Sequence, residues 1–278
     1  MNLPVRLLTS MMLLLLTSCS NDMDEEFTDN RELLVPVRLA ISEINPNTRA
    51  VVNGIGDITA SNLGIYEVAE GTTTGTFPWT ATPLLTNAAP SSFNGNQLTF
   101  SPKLYYPLGG RKVIFYGYYP RTTATSGTNY ITAPGNGVAP TFNFTLTGQE
   151  DIMYAISTPN GSSTPGATVT LTFNHKLTQI ILNTSALGSL LTSVKILSVK
   201  NTGTMNLETG VISYGSGTAD IMFNKAGLTA TNPLMVPADV ASYTLEASIL
   251  GLLVPRRYLI KPTSGNFLAG TVYTISIN

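Results

Sequence analysis

Histidine and cysteine are almost missing: His175 and Cys19 are the only ones in 278 residues. A single cysteine excludes a disulfide within the chain, and a single imidazole excludes a multi-histidine metal site. Charge is also scarce, at 11% Asp, Glu, Lys and Arg with a formal net charge of -1. No basic stripe interrupts this balance, so the chain has no electrostatic footprint for nucleic acid. Long Glu/Lys/Ala-rich stretches, sustained helical periodicity and fixed-period repeats are absent too. What is abundant is Thr, Ser, Asn and Gly together with β-branched residues, which suit pleated half-buried surfaces and the turns between them. An all-β chain is expected.

The N-terminus differs in kind. Arg6 supplies a positive start, and Leu7 to Leu16 form an apolar run too short to span a bilayer. Leu16-Thr17-Ser18-Cys19 follows and resembles the bacterial lipobox, in which the cysteine is acylated before cleavage. The expectation is a signal peptide over residues 1–18 and a lipid (diacylglycerol and palmitate-type acyl chains) on Cys19, several chains being needed for stable outer-membrane attachment. Residues 19–32 carry six of the sixteen acids and read as a solvated tether. This acidic run also resembles surface-export signals of Bacteroidetes lipoproteins; composition alone leaves export signal and plain spacer both open.

Alternation with a period of two begins at Leu33. LLVPVRLAI (Leu33–Ile41) reads as a strand, with Pro36 pointing to an edge position because it lacks an amide donor. LGIYEV, NQLTFS, KVIFYGYYP, PTFNFTL and DIMYAIS follow as strands, and the Gly/Ser/Pro-rich Thr158–Ala167 reads as a linker. Beyond it, ATVTLTFNHKLTQIILNTS, a hairpin around Gly203 and Gly210, and the closing GTVYTISIN resume the pattern. Turn signals about every ten residues are the spacing of β-sandwiches. The expected organisation is two successive sandwich domains, 50–160 and 161–278, preceded by a strand and loop over 33–49. That loop, INPNTRAVVNG, is extended by Pro46 and carries Arg49 before small Ala50, an accessible bond between a strand and the body. Arg38 is a weaker candidate because it would lie inside the strand.

Catalytic constellations are poorly supplied. His175 lies in LTFNHKL between apolar alternations and reads as a structural histidine. No G-x-S-x-G accompanies it, and the one cysteine is assigned to lipid. Glu150 and Asp151 are adjacent, so in a strand they would face opposite ways and could not converge as a glycosidase pair. Gly54 and Gly56 lack the third glycine of a dinucleotide loop. The chain is expected not to be an enzyme and to need no metal or cofactor. KLYYPLGGRKVIFYGYYPR holds six Tyr or Phe in nineteen residues; these could stack on sugars if exposed, and read as core and cross-strand pairs if buried. Trp79, in TTGTFPWTA, reads as a loop residue and is the candidate ligand contact.

Four segments carry a family likeness. KLYYPLGGRKVIFYGYYPR resembles the "Y-P … v-x-F-x-A-Y-Y-P" signature of Bacteroidetes fimbrillins, the Mfa-like type V pilins. DIMYAIS resembles their "D-l-M-y-A" strand, VTLTFNHKLTQIIL their "l-x-F-x-H-x-l-s-k-i" strand with His175 in place, and LAGTVYTISIN their final strand. Gly117 stands where the family often has Ala, which reads as a tolerable change. The resemblance implies a surface pilus subunit of two transthyretin-like β-sandwich domains, exported as a lipoprotein. It further implies that an arginine-specific surface protease cuts Arg49–Ala50, removing Leu33–Ile41, and that a strand from another pilin subunit fills the place. Because the sequence stops at Asn278, directly after its last strand motif, a tip or accessory subunit that accepts a strand and mediates adhesion to a host or bacterial ligand is the expected role. A pilus anchor that keeps its lipid, and a non-polymerising glycan-binding lipoprotein, are the alternatives.

Overall fold

β-Branched and aromatic residues dominate the extended segments, and among the described residues the only helical elements are two short 3-10 turns, Ile55–Asp57 and Ala60–Asn62. The computed structural model describes residues 34–44, 52, 55–161, 166–183, 190–223 and 233–277. Within them the strands are, in chain order, β1 (Arg38–Ile44), β2 (Gly64–Ala69), β3 (Leu85–Ala88), β4 (Ser92–Asn94), β5 (Gln97–Thr99), β6 (Val113–Tyr119) and β7 (Tyr130–Ile131). Next come β8 (Thr141–Thr145), β9 (Met153–Ile156), β10 (Thr168–His175), β11 (Leu177–Asn183), β12 (Leu191–Val199) and β13 (Thr202–Asn206). The last are β14 (Ile212–Tyr214), β15 (Ala219–Met222), β16 (Leu234–Pro237), β17 (Tyr243–Ile249), β18 (Arg256–Ile260) and β19 (Val272–Ser276). The chain is all-β, as expected.

Eight strands form one sheet in the order β3-β2-β6-β9-β10-β1-β5-β4. The others form a three-stranded sheet, β16-β11-β19, and two four-stranded sheets, β15-β12-β17-β18 and β14-β13-β8-β7. The expected division at 160/161 does not separate these sheets. β9 and β10, on either side of the Gly/Ser/Pro-rich segment, are antiparallel neighbours, and β13 pairs with β8 across the same boundary. Turn-forming composition marks a change of chain direction, and a loop between neighbouring strands needs it as much as a domain linker does.

The sequence of β6 shows why the large sheet holds together. Val113 to Tyr118 are all buried, with no polar face. Ile114, Tyr116 and Tyr118 enter one hydrophobic cluster, and Val113 and Phe115 enter another. β2 divides the same way, with Tyr66 and Val68 on one side and Ile65 on the other. Strands covered on both faces lose the apolar–polar alternation and become continuous apolar runs. The aromatic-rich segment is thus mainly core: Tyr106, Phe115, Tyr116 and Tyr118 are buried, whereas Tyr105 is exposed. Gly117 is forced by the same packing. A Cβ there would lie 2.7 Å from Phe173 Cζ and 3.4 Å from Ile65 Cδ1, so alanine has no room unless Phe173 moves.

Candidate functional site

The segment ahead of Arg49 folds as part of the large sheet. β1 begins later and ends later than Leu33–Ile41 suggested, and Pro36 precedes it, in an isolated bridge to Tyr105. The edge position inferred from Pro36 is corrected here: β1 is internal. It runs parallel to β10, with Arg38 opposite Thr168 and Ile41 opposite Leu171, and antiparallel to β5, with Leu39 opposite Leu98. Proline removes one donor at its own position only, and the ladder resumes two residues later.

Alternation decides what β1 contributes. Val35, Val37, Leu39 and Ile41 face the inner cluster, and Leu39 and Ile41 are 1% and 2% exposed. Leu34, Pro36, Arg38 and Ser42 are exposed. The backbone ahead of the strand is held as well, because Val37 N–H donates to Leu104 O at 3.0 Å and Tyr106 N–H donates to Val35 O at 2.9 Å. Ile41 N–H donates to Asn96 O at 2.9 Å, and the Ser42 and Thr172 hydroxyls meet at 2.7 Å. In the order β10-β1-β5-β4, the β4–β5 hairpin joins the sheet only through β1. Taking β1 away would open one edge of β10 and detach that hairpin from its sheet.

β10 and β11 form one nearly continuous extended segment, Thr168 to Asn183, broken only at Lys176. Lys176 N–H donates to Ile152 O on the β9 side, whereas Leu177 O accepts from Gly270 N–H and Gln179 N–H donates to Thr271 O. Successive residues point their amides to opposite sides of a strand, so β1 and β19 share the edge opposite β9 and β16. Each runs parallel to its half of the segment. β19 is engaged there, with Ile277 buried and its N–H donating to Asn183 O at 3.1 Å.

After Ile44, the next described residue is Val52. Its side chain is buried, and its N–H donates to Asp151 Oδ2 at 3.3 Å. The other oxygen, Asp151 Oδ1, lies 2.9 Å from His175 Nδ1, and both side chains are inaccessible to solvent. His175 Nε2 has no hydrogen-bond partner among the described residues. The carboxylate therefore ties the start of the body to β10, the strand along which β1 lies. Glu150, its neighbour in sequence, bonds instead to the Thr147 hydroxyl and to the amides of Thr147 and Gly148; the two acids have different partners, although both precede β9 and neither lies in a strand.

Trp79 is not a surface contact. It does lie outside the strands, but it is 2% exposed, with its ring 5.6 Å from Tyr66 and 4.9 Å from Tyr116, centroid to centroid. A large apolar ring beside two other rings gains more from burial than from waiting in solvent for a ligand. Cys19, Arg49 and Ala50 lie outside the described residues. Sequence reasoning also missed Glu67, a carboxyl 2% exposed within β2. Its signal was present: it sits between Ile65 and Ala69 on the inner face of LGIYEV.

A family model described as fimbrillin-like matches residues 48–278. The chain belongs to the fimbrillin-like family. Solved structures share the fold of this fimbrillin-like protein. A candidate cell adhesion protein from Bacteroides uniformis aligns with a TM-score of 0.54 and 19% identity, over 90% of this chain and 93% of that one. A fimbrial protein from Bacteroides vulgatus aligns with a TM-score of 0.52 and 12% identity, over 87% and 95%. A candidate cell adhesion protein from Bacteroides ovatus gives 0.52 and 19%, over 88% and 92%. At such identities the likeness is one of fold. No curated protein matches the sequence. The family and these structures are named for fimbriae and adhesion, and none is named for a catalytic activity.

Proposed function

We propose that this fimbrillin-like protein is a cell-surface pilus subunit that becomes competent for assembly when its N-terminal segment is cut away after Arg49. The observation that carries the reading is the position of β1, an internal strand contributed by the chain immediately before the processing loop. Its four inward side chains and two hydrogen-bonded borders are what an incoming strand would reproduce: main-chain ladders for affinity, alternate side chains for fit. The family match starts at residue 48, leaving β1 outside it. Val52, clasped by Asp151, would keep the new chain start in place once residues up to Arg49 have gone.

On this reading the precursor is exported as a lipoprotein through Cys19 to the outer membrane, and an arginine-specific surface protease releases it into the fimbrium. The subunit acts as strand acceptor. Donation of its own β19 would strip β11 of its parallel neighbour and uncover Ile277; a tip or accessory place would leave β19 in position. A glycan-binding role is less well supported, because the aromatic residue proposed as its contact, Trp79, is core. Arg49→Ala tests the reading in cells. The variant is expected to stay folded, keep β1 and its lipid, and fail to enter fimbriae as an acceptor. Normal incorporation of the variant would refute it.

A further inference from the structure

The inner cluster that β1 helps to close holds two polar groups with no hydrogen-bond partner among the described residues. Glu67, on β2, is 2% exposed, and its Oε1 has no hydrogen-bond partner among the described residues. The same is true of the Tyr106 hydroxyl, on a residue 3% exposed. Glu67 stands opposite Phe115 and Leu85 and between Ile65 and Ala69, all of which belong to or pack against the inner cluster. Tyr106 belongs to the same cluster as these neighbours of Glu67, and burial first, and then the charge of Glu67, push its phenol up. Burial lifts the carboxyl to about 7. An unbonded buried polar group is destabilising, more so if charged, so this pair is a defect of the closed form.

The register says which residues of the N-terminal segment lie beside Tyr106. Tyr106 N–H donates to Val35 O and Val37 N–H to Leu104 O. These bonds flank the Pro36–Tyr105 bridge, so Val35 lies directly across from Tyr106 and Val37 from Leu104. Directly opposed residues share a face. Val35 and Val37 both pack on the inner cluster and offer it only methyl groups. The protein's own strand thus fills the volume and leaves the polar groups unmet.

We propose that Glu67 and Tyr106 form a polar register pocket that selects a strand from another pilin subunit carrying a long hydrogen-bond donor (Gln, Lys or Arg) where Val35 or Val37 now lies. The inference rests on the strand-exchange reading, since a strand that is never replaced has no successor to select. It gives exchange a direction. The resident strand is tolerated with two orphaned groups, and a matched donor satisfies them and pins its own register, because a shift of one residue would turn the donor side chain outward.

The pocket can be tested in the intact chain, with β1 standing in for the donor. Val35→Gln, Val37→Gln and, as a control, Leu39→Gln are each combined with Glu67→Leu, and unfolding equilibria are measured in denaturant. At Val35 or Val37, glutamine is expected to couple favourably to Glu67 by about tenfold or more, the worth of one hydrogen bond to a charged group. Leu39→Gln is expected to destabilise equally in both backgrounds. Glu67→Leu alone should stabilise the chain, which also shows that the variant folds. Absence of coupling at both valines, as when a trapped water already serves Glu67, overturns the proposal and leaves strand exchange itself standing. Coupling in a protein whose β1 is never exchanged in fimbriae would equally overturn the role proposed for the pocket.

Discussion

Truncating the inward residues of β1 separates its role before processing from its role afterwards. Leu39 and Ile41 are 1% and 2% exposed and enter the cluster formed with Leu98, Val169, Leu171 and Phe173. Large-to-Ala changes at such sites cost roughly 2–5 kcal/mol, the lost transfer energy plus the cavity. Since about 1.4 kcal/mol is tenfold in an equilibrium constant, Leu39→Ala or Ile41→Ala should shift the unfolding equilibrium of the precursor by roughly 30-fold to several thousand-fold. Denaturant titration of the full-length chain reads this directly. After cleavage at Arg49 the altered residue has left with its strand, so assembled material from the variant should resist denaturant as well as wild type does. The precursor is weakened and the fimbria is not. If assembled material is weakened by the same amount, β1 stays in the mature subunit and the exchange argument fails.

Two other outcomes follow from the same core. Burial pushes Glu67 up from 4.5 to about 7, so the folded form binds its proton more tightly and the contribution of Glu67 to stability is fully present only below pH 4.5. That contribution should be lost between pH 4.5 and about 7, by a limit of roughly 3 kcal/mol; the difference between wild type and Glu67→Gln across that window isolates it, and parallel curves would refute the assignment. Gly117→Ala should destabilise by roughly 1–3 kcal/mol through overpacking, because the new Cβ meets Phe173 2.7 Å away. In a Phe173→Leu background the same change should cost less, and an unchanged cost would mean that the strain lies elsewhere.

Much of this was legible in the sequence, and the failures have physical causes. The period-two pattern of Leu33–Ile41 announced a strand, which the structure places at Arg38–Ile44. What it could not carry was the neighbour: β10 lies some 130 residues away, and only the folded chain shows that β1 pairs on both sides. Pro36 misled because its missing donor falls just before the ladder. That β9 and β10 pair across Thr158–Ala167 was not visible either, since turn composition is local while sheet membership is not. Trp79 was rightly placed in a loop and wrongly placed in solvent, because a loop's position says nothing of where its ring packs. Glu67 was overlooked because a lone acid in a strand ordinarily marks the wet face. In β2 both faces are covered, so there is no wet face to mark.

The N-terminal residue of subunits recovered from intact fimbriae is the most direct test of the account. Processing after Arg49 predicts chains that begin at Ala50 and lack β1 altogether. Fimbrial subunits that still carry Arg38–Ile44 in one piece with the body would contradict it.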